Sequence, residues 1–218
     1  MASDNFYKGN TKIDKIYKGS SRVLNVYKGN THIYQYAEHG LVLLEKSSAG
    51  TYYVEIPYDC RVHIDMVGAG GGGFDYRFGT TPNYNWRCSG GGSGAYISGS
   101  ANVSAGTYAV VVGAGGNYRN DQGSPAYDGT ATTFYGQSAG GGYGGGTSGG
   151  GSGGSYTATL TGLTGSNGNQ GAFDLSSHST HSCAGGASLY GGYGKGGNGG
   201  SSGNIQKGTD GYIKIYIV

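Results

Sequence analysis

The sequence predicts an all-β protein with essentially no α-helix. A short N-terminal β-meander of ten-residue repeats precedes a glycine-rich bundle of β-strands and polyglycine II helices. Three observations carry this expectation. A Tyr-Lys-Gly repeat fills residues 6–35. Apolar and β-branched residues alternate in short runs from residue 41 onward. Between those runs lie glycine clusters, among them Gly70–Gly73, Gly90–Gly92, Gly140–Gly142, Gly144–Gly146 and Gly149–Gly151, in a chain with 50 glycines among 218 residues.

The repeat units are Phe6–Lys15, Ile16–Asn25 and Val26–Gln35. Each carries Lys-Gly followed by Asn or Ser and then Thr or Ser, which is turn chemistry. The alternating residues between turns predict one short strand per unit. Such short strands are marginal alone and need a partner. Residues 1–40 are therefore expected to form an attachment or trimerisation module, and residues 41–218 a glycine-rich domain.

From residue 41 the predicted strands follow in order. They are Leu41–Glu45, Gly50–Ile56, Arg61–Val67, the stretch around Tyr96–Ser98, Thr107–Val112, Thr130–Tyr135, Tyr156–Leu160 and a terminal strand over Gly211–Val218. Nowhere do apolar residues keep helical spacing, and each glycine in a helix costs about 1 kcal/mol.

The glycine runs separate two readings, disordered linker and close backbone packing. Glycine loses more backbone entropy on folding than any other residue. Disordered chains usually carry high net charge and few aromatics. This chain has a formal net charge of +2, only 12% charged residues and 21 tyrosines. Three prolines and no sustained Gly-X-Y period exclude collagen. A three-residue-per-turn extended helix points its amides outward, and buried amides must find partners. A bundle of such helices satisfies them mutually if the contacting faces lack Cβ atoms.

The near-neutral charge argues against nucleic-acid binding. No apolar run is long enough to insert in a membrane. The N-terminus lacks the apolar region of a signal peptide, so synthesis in a cytoplasm is expected. Cys60, Cys88 and Cys183 are an odd set at unpatterned spacings and imply no disulfide framework. His178, His181 and Cys183 supply part of a zinc set, but no fourth ligand is near, so no metal site and no cofactor are expected. No phosphate-loop lysine follows a glycine run, and Gly91-Gly-Ser-Gly-Ala95 opens no helix, so no catalytic residues are assigned.

Specific motifs then emerge. The stretch Ile56–Gly73 runs from a strand into glycine. The block Gly90–Ile97 with Val103–Gly116 repeats that arrangement, and Gly129–Gly136 and Gly211–Ile217 close it. This pattern resembles the glycine-rich domain of bacteriophage tail-fibre and receptor-binding tip proteins over about residues 50 to 218. The resemblance implies receptor binding in a phage virion, not catalysis. It implies a host cell-surface glycan or protein as partner, beside the remainder of a tail fibre or copies of the chain itself, including a homotrimer. A purely structural stalk or an ice-binding-like bundle is the competing reading.

A glycine bundle varies only between its runs, so binding is expected there. The stretches 74–88, 117–128 and 166–183 are read as loops rich in aromatic and hydrogen-bonding residues. Tyr76, Phe78, Tyr84, Trp86, Tyr118, Tyr127 and Phe173 are the candidate receptor contacts. Rings with polar handles suit sugars or protein loops. Tyr84 and Trp86, beside Pro82 and two asparagines, are the expected exposed contacts.

Overall fold

The computed structural model describes residues 39–218 apart from 81–82, 121–123, 177–180 and 201–204, and before residue 39 only the short strands named here. Among the described residues the fold is all-β, with no helix. It therefore has no helix long and apolar enough to cross a membrane.

Each N-terminal repeat closes on itself. Tyr7–Lys8 pairs with Thr11–Lys12, Tyr17–Lys18 with Ser21–Arg22, and Asn25–Lys28 with Thr31–Gln35, all antiparallel. Among the described residues these are three two-stranded ladders. Two-residue connections fix the register locally, so each repeat pairs its own flanks.

The body starts as a sandwich of two five-stranded antiparallel sheets. One has the order Leu163–Ser166, Tyr96–Val103, Cys60–Val67, Tyr212–Ile217, Val42–Lys46. The other has the order Tyr156–Thr157, Gln137–Ala139, Thr132–Phe134, Gly106–Val112, Gly50–Ile56. Alternation sends every second residue inward. Val62, Ile64, Met66, Ile97, Ile213 and Ile215 meet Val54, Ile56, Val110, Val112 and Phe134 in one buried cluster. Tyr135 (φ 48°) and Gly136 (φ 74°) turn the chain between Phe134 and Gln137. Positive φ at both residues matches the twist of a two-residue hairpin loop.

At one end of the sandwich the strands continue as glycine segments that run alternately away from it and back. The segment 68–73 shows the order of the lattice. The amides of Gly68 and Gly71 donate to Ala95 and Gly92, those of Ala69 and Gly72 to Thr130 and Tyr127, and those of Gly70 and Gly73 to Thr209 and Gln206. Every third amide thus faces the same neighbour, as a three-residue-per-turn helix requires. Its carbonyls are taken in the same rhythm: Ala69 and Gly72 accept from Gly142 and Gly145, Gly70 and Gly73 from Gly116 and Arg119. The segment 90–95 repeats the arrangement, donating to Ala172 and Asn169, to Gly197 and Gly194, and to Tyr143 and Gly140.

The glycines here are required by space. A Cβ on Gly71 would overlap the carbonyl of Tyr143, one on Gly92 the carbonyl of Ser152, and one on Gly70 the carbonyl of Lys195. Ser93 is a polar residue within such a segment, and a hydrogen bond explains it. It is fully buried, and its hydroxyl accepts the amide of Asn169 at 2.7 Å. With about 3.1 Å of rise per residue, segment 68–73 carries the chain roughly 18 Å from the sandwich.

Candidate functional site

Beyond the bundle, the chain from Phe74 forms a small sheet. Phe74–Thr80 pairs with Asn83–Ser89, which pairs with Phe173–Ser176. The stretches 74–88 and 166–183, expected as loops, thus contribute strands here. The signal was present in the alternation of Phe74, Tyr76 and Phe78 with Asp75 and Arg77, because β-strands place every second side chain on one face.

Register sorts the candidate residues onto two faces. Tyr76 lies opposite Arg87, which lies opposite Leu175; Phe78 lies opposite Asn85, and Ser89 opposite Phe173. Tyr76, Phe78 and Phe173 therefore share one face with Arg87 and Leu175. The rings of Tyr76 and Phe78 stack with centroids 6.2 Å apart. The Arg87 guanidinium lies 4.4 Å from the Phe78 centroid, and its Nη1 donates to the carbonyl of Thr147. The Arg87 Nε is buried without a hydrogen-bond partner. The contact with Phe78 is what the guanidinium gains in exchange. Leu175 is 57% exposed and Phe173 38% exposed. This face therefore presents apolar surface to solvent next to a cation.

The other face holds Trp86, with Tyr84 two residues before it on the same strand. The Tyr84 side chain lies outside the described residues. Trp86 is half-buried, unlike the exposed contact expected for it. Arg77 lies 5.7 Å from its ring, and the His181 ring lies 5.1 Å away. His181 is buried, and its Nε2 lies 2.6 Å from the Asp75 carboxylate. Burial pushes the Asp75 carboxyl above the usual range, against the opposing effect of His181. The His181 Nδ1 is buried without a partner.

Cys88 and Cys183 form a disulfide behind this face. The unpatterned spacings left the state of the three cysteines open, since spacing carries no information about which strands meet. Cys60 is the free cysteine. With Cys183 in the disulfide and His181 held by Asp75, the partial zinc set is otherwise engaged, and His178 lies outside the described residues. No group of three His, Cys, Asp or Glu residues placed to hold a metal occurs among the described residues.

Tyr118 and Tyr127 lie on the flank of the bundle, 50% and 56% exposed. Arg119 stands 5.4 Å from the Tyr127 ring. Its backbone joins the flank to the tip, because its carbonyl accepts the Asp75 amide and its amide donates to Gly73. The structure thus groups the predicted contacts as Tyr76, Phe78 and Phe173 on one tip face, Trp86 on the other, and Tyr118 and Tyr127 on the flank. Three exposed or contacting residues were missed: Leu175, Arg87 and Tyr143. Tyr143 is 55% exposed on the segment beside that of Tyr127. An exposed tyrosine flanked by glycines was the available signal.

No curated protein matches the chain. A family model described as a glycine-rich domain matches residues 46–216, most of the chain, and the protein belongs to that glycine-rich domain family.

Proposed function

We propose that the protein is a non-enzymatic receptor-binding tip of a bacteriophage tail fibre, carried in the virion and engaging the host cell surface. The observation that supports this most is the apolar edge of the tip sheet. Leu175 and Phe173 stand exposed beside Arg87 at the end of a hydrogen-bonded bundle. Exposed apolar residues grouped on a rigid support mark interaction surfaces. Of the two partner classes, glycan and protein, an exposed leucine next to an aromatic favours a protein loop, since leucine offers a sugar no polar contact. The N-terminal hairpins would join the tip to the rest of the fibre or to further copies of the chain.

The test is saturable binding of labelled protein to a panel of bacterial strains. Binding to some strains, lowered at least tenfold by a folded Phe173→Ser, Leu175→Ser double variant, is expected. Absence of saturable binding to every strain, or binding that the double variant retains in full, would reject this function.

A further inference from the structure

The outer face of the sandwich sheet that contains Cys60–Val67 carries a second arrangement, separate from the tip. Val62, Ile64 and Met66 point into the core, so Arg61, His63 and Asp65 point outward. Register sets Ser98 and Lys214 on either side of Asp65, and Ser100 and Tyr216 on either side of His63. Glu45 lies beyond Lys214.

The side chains are tied together. One oxygen of the buried Asp65 carboxylate accepts from the Tyr96 and Ser98 hydroxyls, both at 2.8 Å, and lies 3.5 Å from His63 Nε2. Burial pushes the Tyr96 hydroxyl up to about 12, so it stays a donor at neutral pH. His63 Nδ1 lies 3.0 Å from the Ser100 hydroxyl, and its ring stacks on Tyr216 at 5.0 Å. Lys214 pairs with Glu45 at 3.2 Å, and the Tyr212 hydroxyl donates to Glu45 at 2.8 Å. Tyr190 stacks on Tyr96 and Tyr212, and Tyr193 on Tyr212. These contacts hold the rings in place before any ligand arrives.

A pocket of about 280 Å³ opens here, lined by Gly40, Val42, Asp65, Tyr190, Lys214 and Tyr216. Small-molecule pockets span about 300–1,000 Å³, so this one suits a ligand of a single ring. Its lining carries both a carboxylate and an ammonium, which disfavours an ion of either sign. The tyrosine rings then favour a neutral molecule with several hydroxyls and an apolar face over a small zwitterion, which would leave them uncovered. Hydroxyls donate to Asp65 and accept from Lys214, while the tyrosine rings take the C–H face. We infer that this pocket binds one neutral pyranose sugar. The inference is independent of the tip and of its receptor.

The experiment is saturation-transfer NMR on the full chain with the methyl pyranosides of glucose, galactose, mannose and N-acetylglucosamine. Transfer to the ring C–H protons of at least one is expected. It should weaken at least tenfold in Asp65→Asn, Tyr216→Ala and Lys214→Gln, and persist in Leu175→Ser. Asp65→Asn keeps an oxygen for Tyr96 and Ser98, and Lys214 is partly exposed, so Lys214→Gln decides if the other variants fail to fold. No transfer from any of the four sugars would overturn the assignment. So would transfer that Lys214→Gln leaves unchanged, or contacts from the protein's own N-terminal repeats to Tyr190 and Tyr216 that show the pocket already filled.

Discussion

Cys88 and Cys183 are bonded across the tip although 95 positions separate them in sequence. The bond ties the central tip strand to the short Ser182–Cys183 strand, which pairs with Gly199–Gly200. Closing so long a loop restricts the unfolded chain strongly. Reduction, or Cys88→Ser with Cys183→Ser, should cost about 2–4 kcal/mol in chemical unfolding. Trp86 is the single tryptophan. Its emission reports the tip alone and should change at lower denaturant than the far-ultraviolet signal once the bond is gone. Coincident transitions at unchanged midpoints would show that the bridge carries no stability.

Asp210 ties three parts of the fold. Its carboxylate accepts the Gly115 amide at 2.9 Å and the Ala49 amide at 3.2 Å, and faces Lys207 at 3.7 Å. Burial raises its pKa, but these amides and Lys207 outweigh that and hold it below the usual carboxylate value. A depressed folded-state value means stability that is present above the unfolded value, near 3.9, and lost as pH falls through the folded value. Asp210→Asn should remove this part of the acid sensitivity. Asp210→Ala should cost about 1 kcal/mol at pH 7, less than the usual charged hydrogen bond because the group is partly exposed. Thermal unfolding from pH 7 to pH 3 measures both.

Gln137 is only 1% exposed and fully engaged. Its Oε1 accepts the amides of Thr159 and Leu160, and its Nε2 donates to the Tyr135 carbonyl and the Thr159 hydroxyl. Gln137→Leu leaves the Thr159 amide without that partner and should cost about 1–3 kcal/mol. Denaturant titration tests this, and an unchanged midpoint would mean that the segment finds other partners.

Much of the fold was legible because its constraints are local. The alternation of Arg61–Val67 and Gly211–Val218 marks strands, and glycine runs between strands require segments without side chains. The tip sheet was obscured because Thr80, Pro82 and Asn83 give turn chemistry that dominates the short aromatic alternation on either side. The disulfide and the stacking of Tyr190 and Tyr193 on Tyr212 depend on which distant segments meet, which a single chain pattern does not carry. Ser93 illustrates the same limit, since its place in a glycine segment makes sense only once Asn169 lies beside it.

The central claim is that glycine is needed in the bundle for space between backbones. Two glycine-to-alanine substitutions test it directly by equilibrium unfolding. Gly71 faces the Tyr143 carbonyl where a Cβ would sit, whereas nothing lies within 4 Å of the corresponding point on Gly149. Gly71→Ala should lose more than about 4 kcal/mol or fail to fold. Gly149→Ala should be neutral or gain about 0.4–1 kcal/mol from a less flexible unfolded chain. Equal effects at the two positions, or a Gly71→Ala protein stable to within about 1 kcal/mol of the parent, would contradict a close-packed polyglycine bundle.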